Sequence, residues 1–141
     1  MKTPNTASLI KLTLPSEITF ISILDVLSTQ ILKEMEFNGD DVAQANLAII
    51  EAGMNAIKHG NKNDPTKKVN FQFQLGEHKL TIIVADEGEG FDINNLPNPL
   101  SPENLLKPNG RGVFAMNLCM DEVTFNQNGS EVQMVKLINP G

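Results

Sequence analysis

The chain has 141 residues, 40% of them hydrophobic, which suffices for one domain with a real core, and a formal charge of −6 from seventeen acidic and eleven basic residues. That balance, without a run of Lys or Arg, argues against direct binding of nucleic acid, and nowhere do the roughly 18 apolar residues of a membrane span run together. Cys119 is alone, which excludes an internal disulfide, and Met1–Thr6 leads into no apolar signal core, so the reading is a cytoplasmic chain that does not engage a membrane.

In chain order, Ser8–Leu14 alternates weakly before Pro15 and predicts an edge strand. Ser16 can cap a long first helix, whose stripe from Ile18 to Met35 runs to about Phe37. Asn38-Gly39-Asp40-Asp41 breaks it and offers a new N-cap, and a second helix then continues to Gly60, its expected stop. After a polar connection, Val69, Phe71, Phe73 and Leu75 alternate with polar residues as a half-buried strand. Gly76–Lys79 is short enough for a hairpin loop, and the β-branched run Leu80–Ala85 predicts a central strand. Residues 93–109, with four prolines, carry too little periodicity for a strong element, although Pro102–Leu106 can form a helical turn. Gly112–Met120 predicts a third helix, Glu122–Gln127 a strand, Asn128-Gly129 a tight hairpin, and Val132–Ile138 the closing strand. The order strand, helix, helix, strand, strand, helix, strand, strand predicts an α+β fold. It would be a two-layer α/β sandwich, its sheet mixed but mostly antiparallel, with helices on one face.

Chemistry concentrates in three places. Glu51 and Asn55 lie four residues apart inside an apolar helical pattern, so both side chains leave one helix face together. An ordinary amphipathic helix with a solvated Glu and Asn fits the same spacing. Asp86-Glu87-Gly88-Glu89-Gly90 begins where the buried strand ends, which fixes a carboxylate at the mouth of the core beside glycines that allow a sharp turn. That carboxylate can accept a hydrogen bond from the amino group of a base. A plain glycine turn is the alternative, and the surrounding acids do not match a calcium-loop spacing. Gly110-Arg111-Gly112 opens the third helix, where unpaired backbone N–H groups and the helix dipole can receive phosphate. Gly110, Gly112 and Ala115 fit a dinucleotide fingerprint only superficially, because Lys107-Pro108-Asn109 and not a strand precedes them.

The ordered combination of Glu51 and Asn55, Asp86-x-Gly88-x-Gly90, a proline-rich segment and Gly110-x-Gly112 resembles the GHKL ATP-binding superfamily over roughly residues 8 to 138 of a single domain, 1–141. Gly110–Met116 followed by Met120-Asp121-Glu122-Val123 looks like the anti-sigma-factor serine kinases of bacterial partner-switching systems. The resemblance implies ATP and Mg²⁺, with Glu51 as general base, Asn55 as a Mg²⁺ ligand and Asp86 as the partner of the adenine amino group. It also implies that Gly88 and Gly90 shape the adenine pocket, that residues 93–109 form an ATP lid and that Gly110–Gly112 hold phosphates. Lys107 and Arg111 stand close enough to help neutralise those phosphates, though surface charge is an equal reading, and Gly129-Ser130 sits where the family often carries Gly-Thr near the base of the pocket. The implied partners are a sigma factor and a phosphorylated anti-sigma-factor antagonist, and the branch often forms homodimers. A nucleotide-gated binding module without kinase activity is the alternative. His59 and His78 read as structural or solvated, and Cys119 with its neighbouring methionines as core.

Overall fold

A computed structural model describes residues 8–88 and 108–138. Five strands form one sheet: β1 (Ser8–Pro15), β2 (Lys68–Leu75), β3 (Lys79–Ala85), β4 (Glu122–Asn126) and β5 (Glu131–Leu137), in the spatial order β1-β2-β3-β5-β4. The first strand is an edge and β3 lies at the centre, as the sequence predicts. The expectation of a mixed sheet needs sharpening, because each described pairing is antiparallel. The period of two decides the faces. Val69, Phe71, Phe73, Leu80, Ile82, Val84, Val132 and Met134 are buried on one side, while Lys68 and Asn70 of β2 point to solvent on the other. Each fully buried Phe contributes roughly 1.5–3 kcal/mol of hydrophobic stabilisation.

The helices α1 (Ile21–Glu34), α2 (Gly39–Asn55) and α3 (Pro108–Cys119) cover the apolar face. Ser16 does not cap α1. It is fully buried, and its hydroxyl donates to Lys67 O at 2.7 Å, while a 3₁₀ turn at Ile18–Phe20 leads into the helix. Helix α1 also stops three residues before the predicted Phe37. Glu36 adopts a left-handed conformation (φ 65°), Phe37 N–H returns to Leu32 O at 3.2 Å, and Glu36 N–H returns to Lys33 O at 2.9 Å. This is a Schellman closure with Leu32 and Phe37 both buried, so chain reversal prevails over the apolar stripe.

Asn38 does cap α2: its Oδ1 accepts Asp41 N–H at 2.8 Å, and Asp40 and Asp41 complement the positive end of the helix. Ala45, Ala48, Ile49, Ala52 and Gly53 form the buried stripe of this helix. At Gly53 an added Cβ would stand 2.8 Å from Leu24 Cδ2 and 3.3 Å from Phe71 Cε2, so the glycine lets α2 settle between α1 and the sheet. Lys136 on β5 anchors the far side. Its buried Nζ donates to Cys119 O at 2.8 Å, at the C-terminal end of α3, and lies 3.7 Å from Asp41 Oδ1 at the start of α2. Cys119 is buried in the core as read from sequence, and that burial pushes its thiol pKa up. The β4–β5 hairpin turns through Asn128 (φ 59°) and Gly129 (φ 92°), the pair that Asn-Gly suits. Among the described residues no helix is long and apolar enough to cross a membrane.

Candidate nucleotide site

Helix α2 is the spine of the site. Its last two turns carry Glu51 and Asn55, both half-buried, on one face. Beyond Asn55 the helix widens into a π turn at Ala56–Gly60, closed by Asn61 N–H donating to Ala56 O at 2.8 Å. Such widened turns recur at functional sites because they displace the residues that follow. Gly60 therefore ends the helix by a different route from the one expected, since it does not take a left-handed φ.

Its glycine identity has another cause. A Cβ at Gly60 would be driven into the carboxylate of Asp86, and a Cβ at Gly88 would collide with the carbonyl oxygen of Gly60. The end of the π turn and the turn after β3 are thus in backbone-close contact: Gly60 cannot be replaced without moving the acid, nor Gly88 without moving the backbone of Gly60. Asp86 N–H donates to Ser130 O at 2.9 Å, and Asp86 Oδ1 accepts Gly88 N–H at 2.8 Å. Burial pushes the Asp86 carboxyl above the ordinary carboxylate range, against the opposing pull of the Gly88 N–H and the Lys67 charge.

A second close approach lies one turn back along α2. A Cβ at Gly112 would stand 2.7 Å from Asn55 Nδ2 and 3.1 Å from Oδ1, so α3 touches α2 at the Asn55 amide. Helix α3 begins at Pro108, ahead of the predicted Gly112, with proline in the first helical position, where a missing N–H costs nothing. Gly110 and Arg111 accordingly lie in the first turn, while Gly112 belongs to the next and serves helix–helix contact. Gly90, Lys107 and residues 93–107, which hold most of the expected lid and the helical turn at Pro102–Leu106, lie outside the described residues.

Two clusters of sequence-distant residues singled out from sequence therefore form at α2 and its π turn: Asn55 with Gly112, and Asp86 with Gly88 and Ser130. Two further residues of the site escaped sequence reasoning. Gly60 carried a signal but was explained by helix termination, whereas Asn61 looked like the first residue of a polar linker. In the structure Asn61 is 1% exposed. Nothing in a single sequence marks a buried Asn inside a polar run, because linker amides are usually solvated.

A family model described as a histidine kinase-like ATPase domain matches residues 20–136. The chain belongs to the histidine kinase-like ATPase family. Among its relatives, the serine-protein kinase RsbW of Bacillus licheniformis is 34% identical over 140 residues, covering 94% of this chain and 88% of the relative. The protein of the same name from Bacillus subtilis is 30% identical over 142 residues, covering 96% and 89%, and that of Bacillus thuringiensis 32% over 136 residues, covering 92% and 84%. The histidine kinase-like ATPase fold and the resemblance to serine kinases of this superfamily are thus borne out.

Proposed function

We propose that this protein is a Mg²⁺-ATP-dependent serine/threonine kinase and anti-sigma factor that phosphorylates an anti-sigma-factor antagonist in a bacterial partner-switching system. The observation that carries this reading is the convergence along α2 of a carboxylate (Glu51), an amide against a glycine helix (Asn55 and Gly112) and a second, half-buried carboxylate (Asp86) braced by Gly60 and Gly88. The serine-protein kinase names of the relatives support it.

The donor chemistry fits the groups required. An amide oxygen is a hard ligand suited to Mg²⁺, which keeps waters and phosphate oxygens as its remaining partners, so Asn55 would hold the ion. Mg²⁺ would supply neutralisation of phosphate charge. Asp86 would accept a hydrogen bond from the adenine amino group, with Gly88 and Gly90 shaping the pocket and Ser130 at its base. The first turn of α3 at Gly110 and Arg111 would receive phosphates, with Gly112 letting the helix approach Asn55 and with Lys107 and Arg111 adding positive charge. Glu51 would take the proton of a serine or threonine hydroxyl on the antagonist as that oxygen attacks the γ-phosphorus and ADP departs. The sigma factor and the antagonist are the protein partners of this reading, in which neither nucleic acid nor membrane takes direct part.

Transfer of labelled phosphate from ATP to the antagonist, run beside a binding titration, tests the assignment. Glu51→Gln should bind Mg²⁺-ATP normally while transfer falls roughly 10²–10⁴-fold. Asn55→Ala should instead weaken Mg²⁺-ATP binding itself. Wild-type transfer by Glu51→Gln would remove Glu51 as the base. Binding of ATP by the wild type with no transfer to any cognate antagonist would mark a nucleotide-gated binding module.

A further inference from the structure

Asn61 is one of the few buried polar residues among the described ones, and each end of its amide is engaged. Oδ1 accepts Glu87 N–H at 2.8 Å, while Nδ2 donates to Ser16 Oγ at 2.8 Å and to Lys68 O at 3.0 Å. Ser16 is itself fully buried and bonded to Lys67 O. Asn61 follows Gly60, which touches the Asp86 carboxylate, and the N–H it holds belongs to the residue directly after Asp86. The peptide of Asp86 is therefore clamped on both sides, by Ser130 O on its own N–H and by Asn61 Oδ1 on the next. The Glu87 carboxylate adds a tie to Lys68 N–H, so the start of β2 and the turn after β3 are joined twice.

We propose that Asn61 is a positioning residue that sets base specificity, by fixing the turn from which Asp86 addresses the 6-amino group of a purine. This rests on the reading of Asp86 given above. A buried amide whose acceptor meets one backbone N–H holds that peptide in a single orientation, because the alternative leaves the buried amide oxygen desolvated and unpaired. Ser16 offers an internal comparison, since its loss removes hydrogen bonds from the same buried cluster without touching the Asn61–Glu87 bond.

The test is equilibrium binding of Mg²⁺-ATP and of the triphosphate of purine riboside, which lacks the 6-amino group, to the full chain. The wild type should prefer ATP by at least about tenfold, the worth of one charge-assisted hydrogen bond. Asn61→Ala should reduce that preference to about threefold or less through weaker ATP binding, and should add less than about twofold in an Asp86→Asn background, because the two residues act as one unit. Ser16→Ala should lower thermal stability yet keep the wild-type preference. Asn61→Ser, polar but too short to reach Glu87, replaces Asn61→Ala should the latter not fold. A wild-type ATP preference in the Asn61 variant, with only its melting temperature lowered, would overturn the positioning role alone. No preference for ATP in the wild type would overturn the reading of Asp86 and this proposal with it.

Discussion

The two ends of the α2 wall are built by opposite means. At the Asp86 end, directional hydrogen bonds from Asp86 N–H to Ser130 O, from Glu87 N–H to Asn61 Oδ1 and from Gly88 N–H to the Asp86 carboxylate fix a backbone turn. At the Glu51–Asn55 end, position comes from helix packing, where the absence of a side chain at Gly112 lets α3 lie against the Asn55 amide. Hydrogen bonds specify orientation, which the base recognition proposed for Asp86 demands, whereas packing specifies distance between helices, which suits the phosphate and metal binding proposed for the other end.

Substitutions can break that contrast. The largest effect is expected for Gly60→Ala, because the new methyl would occupy the space of the Asp86 carboxylate. Overpacking of this kind costs about 1–3 kcal/mol, and ATP affinity should fall at least about tenfold as Asp86 is displaced. Calorimetry and thermal melting would both register it, and a normal ATP affinity would disprove the contact.

Asp86→Asn should lose ATP affinity by a similar factor while leaving the fold at least as stable near neutral pH. The carboxyl is raised by burial, so its contribution to stability is fully present below the unfolded-state value near 3.8 and is lost as pH rises through its higher native value. The melting temperature of Asp86→Asn should therefore match or exceed that of the wild type at neutral pH. The advantage should shrink as pH falls through the native value of Asp86, and a gap that widened on acidification would contradict burial as the cause.

At the packed end, Gly112→Ala sets a gain of roughly 1 kcal/mol in helix propensity against a comparable cost from crowding Asn55. Chemical denaturation should show little net change, while Mg²⁺-ATP binds more weakly. The smallest effect on nucleotide binding belongs to Gly39→Ala at the start of α2, where a Cβ meets nothing within 4 Å. It should stabilise by about 0.4–1 kcal/mol without altering nucleotide binding.

Strand positions were legible in the sequence because period-two alternation is local, and Asn38 and Asn128-Gly129 declared a cap and a turn through local chemistry. Glu51, Asn55 and Asp86 could be singled out because polar residues interrupting apolar patterns are visible in one dimension. Ser16, Gly60 and Asn61 could not, since their roles arise from partners far along the chain: Lys67, Asp86 and Glu87. The early end of α1 at Glu34 depends on a left-handed Glu36, a conformation that residue type does not announce.

The π turn at Ala56–Gly60 makes the number of residues in this segment matter as much as their identity. Lys58 and His59 are exposed and free to vary in kind. Adding or deleting one residue would be another matter, because each helical residue advances the chain by about 100° around the axis. Such a change would swing the Asn61 amide away from Glu87 N–H and carry Gly60 off the Asp86 carboxylate. At Lys58 and His59 the chain should accept new side chains readily, whereas the whole segment between Asn55 and Asn61 should reject insertions and deletions.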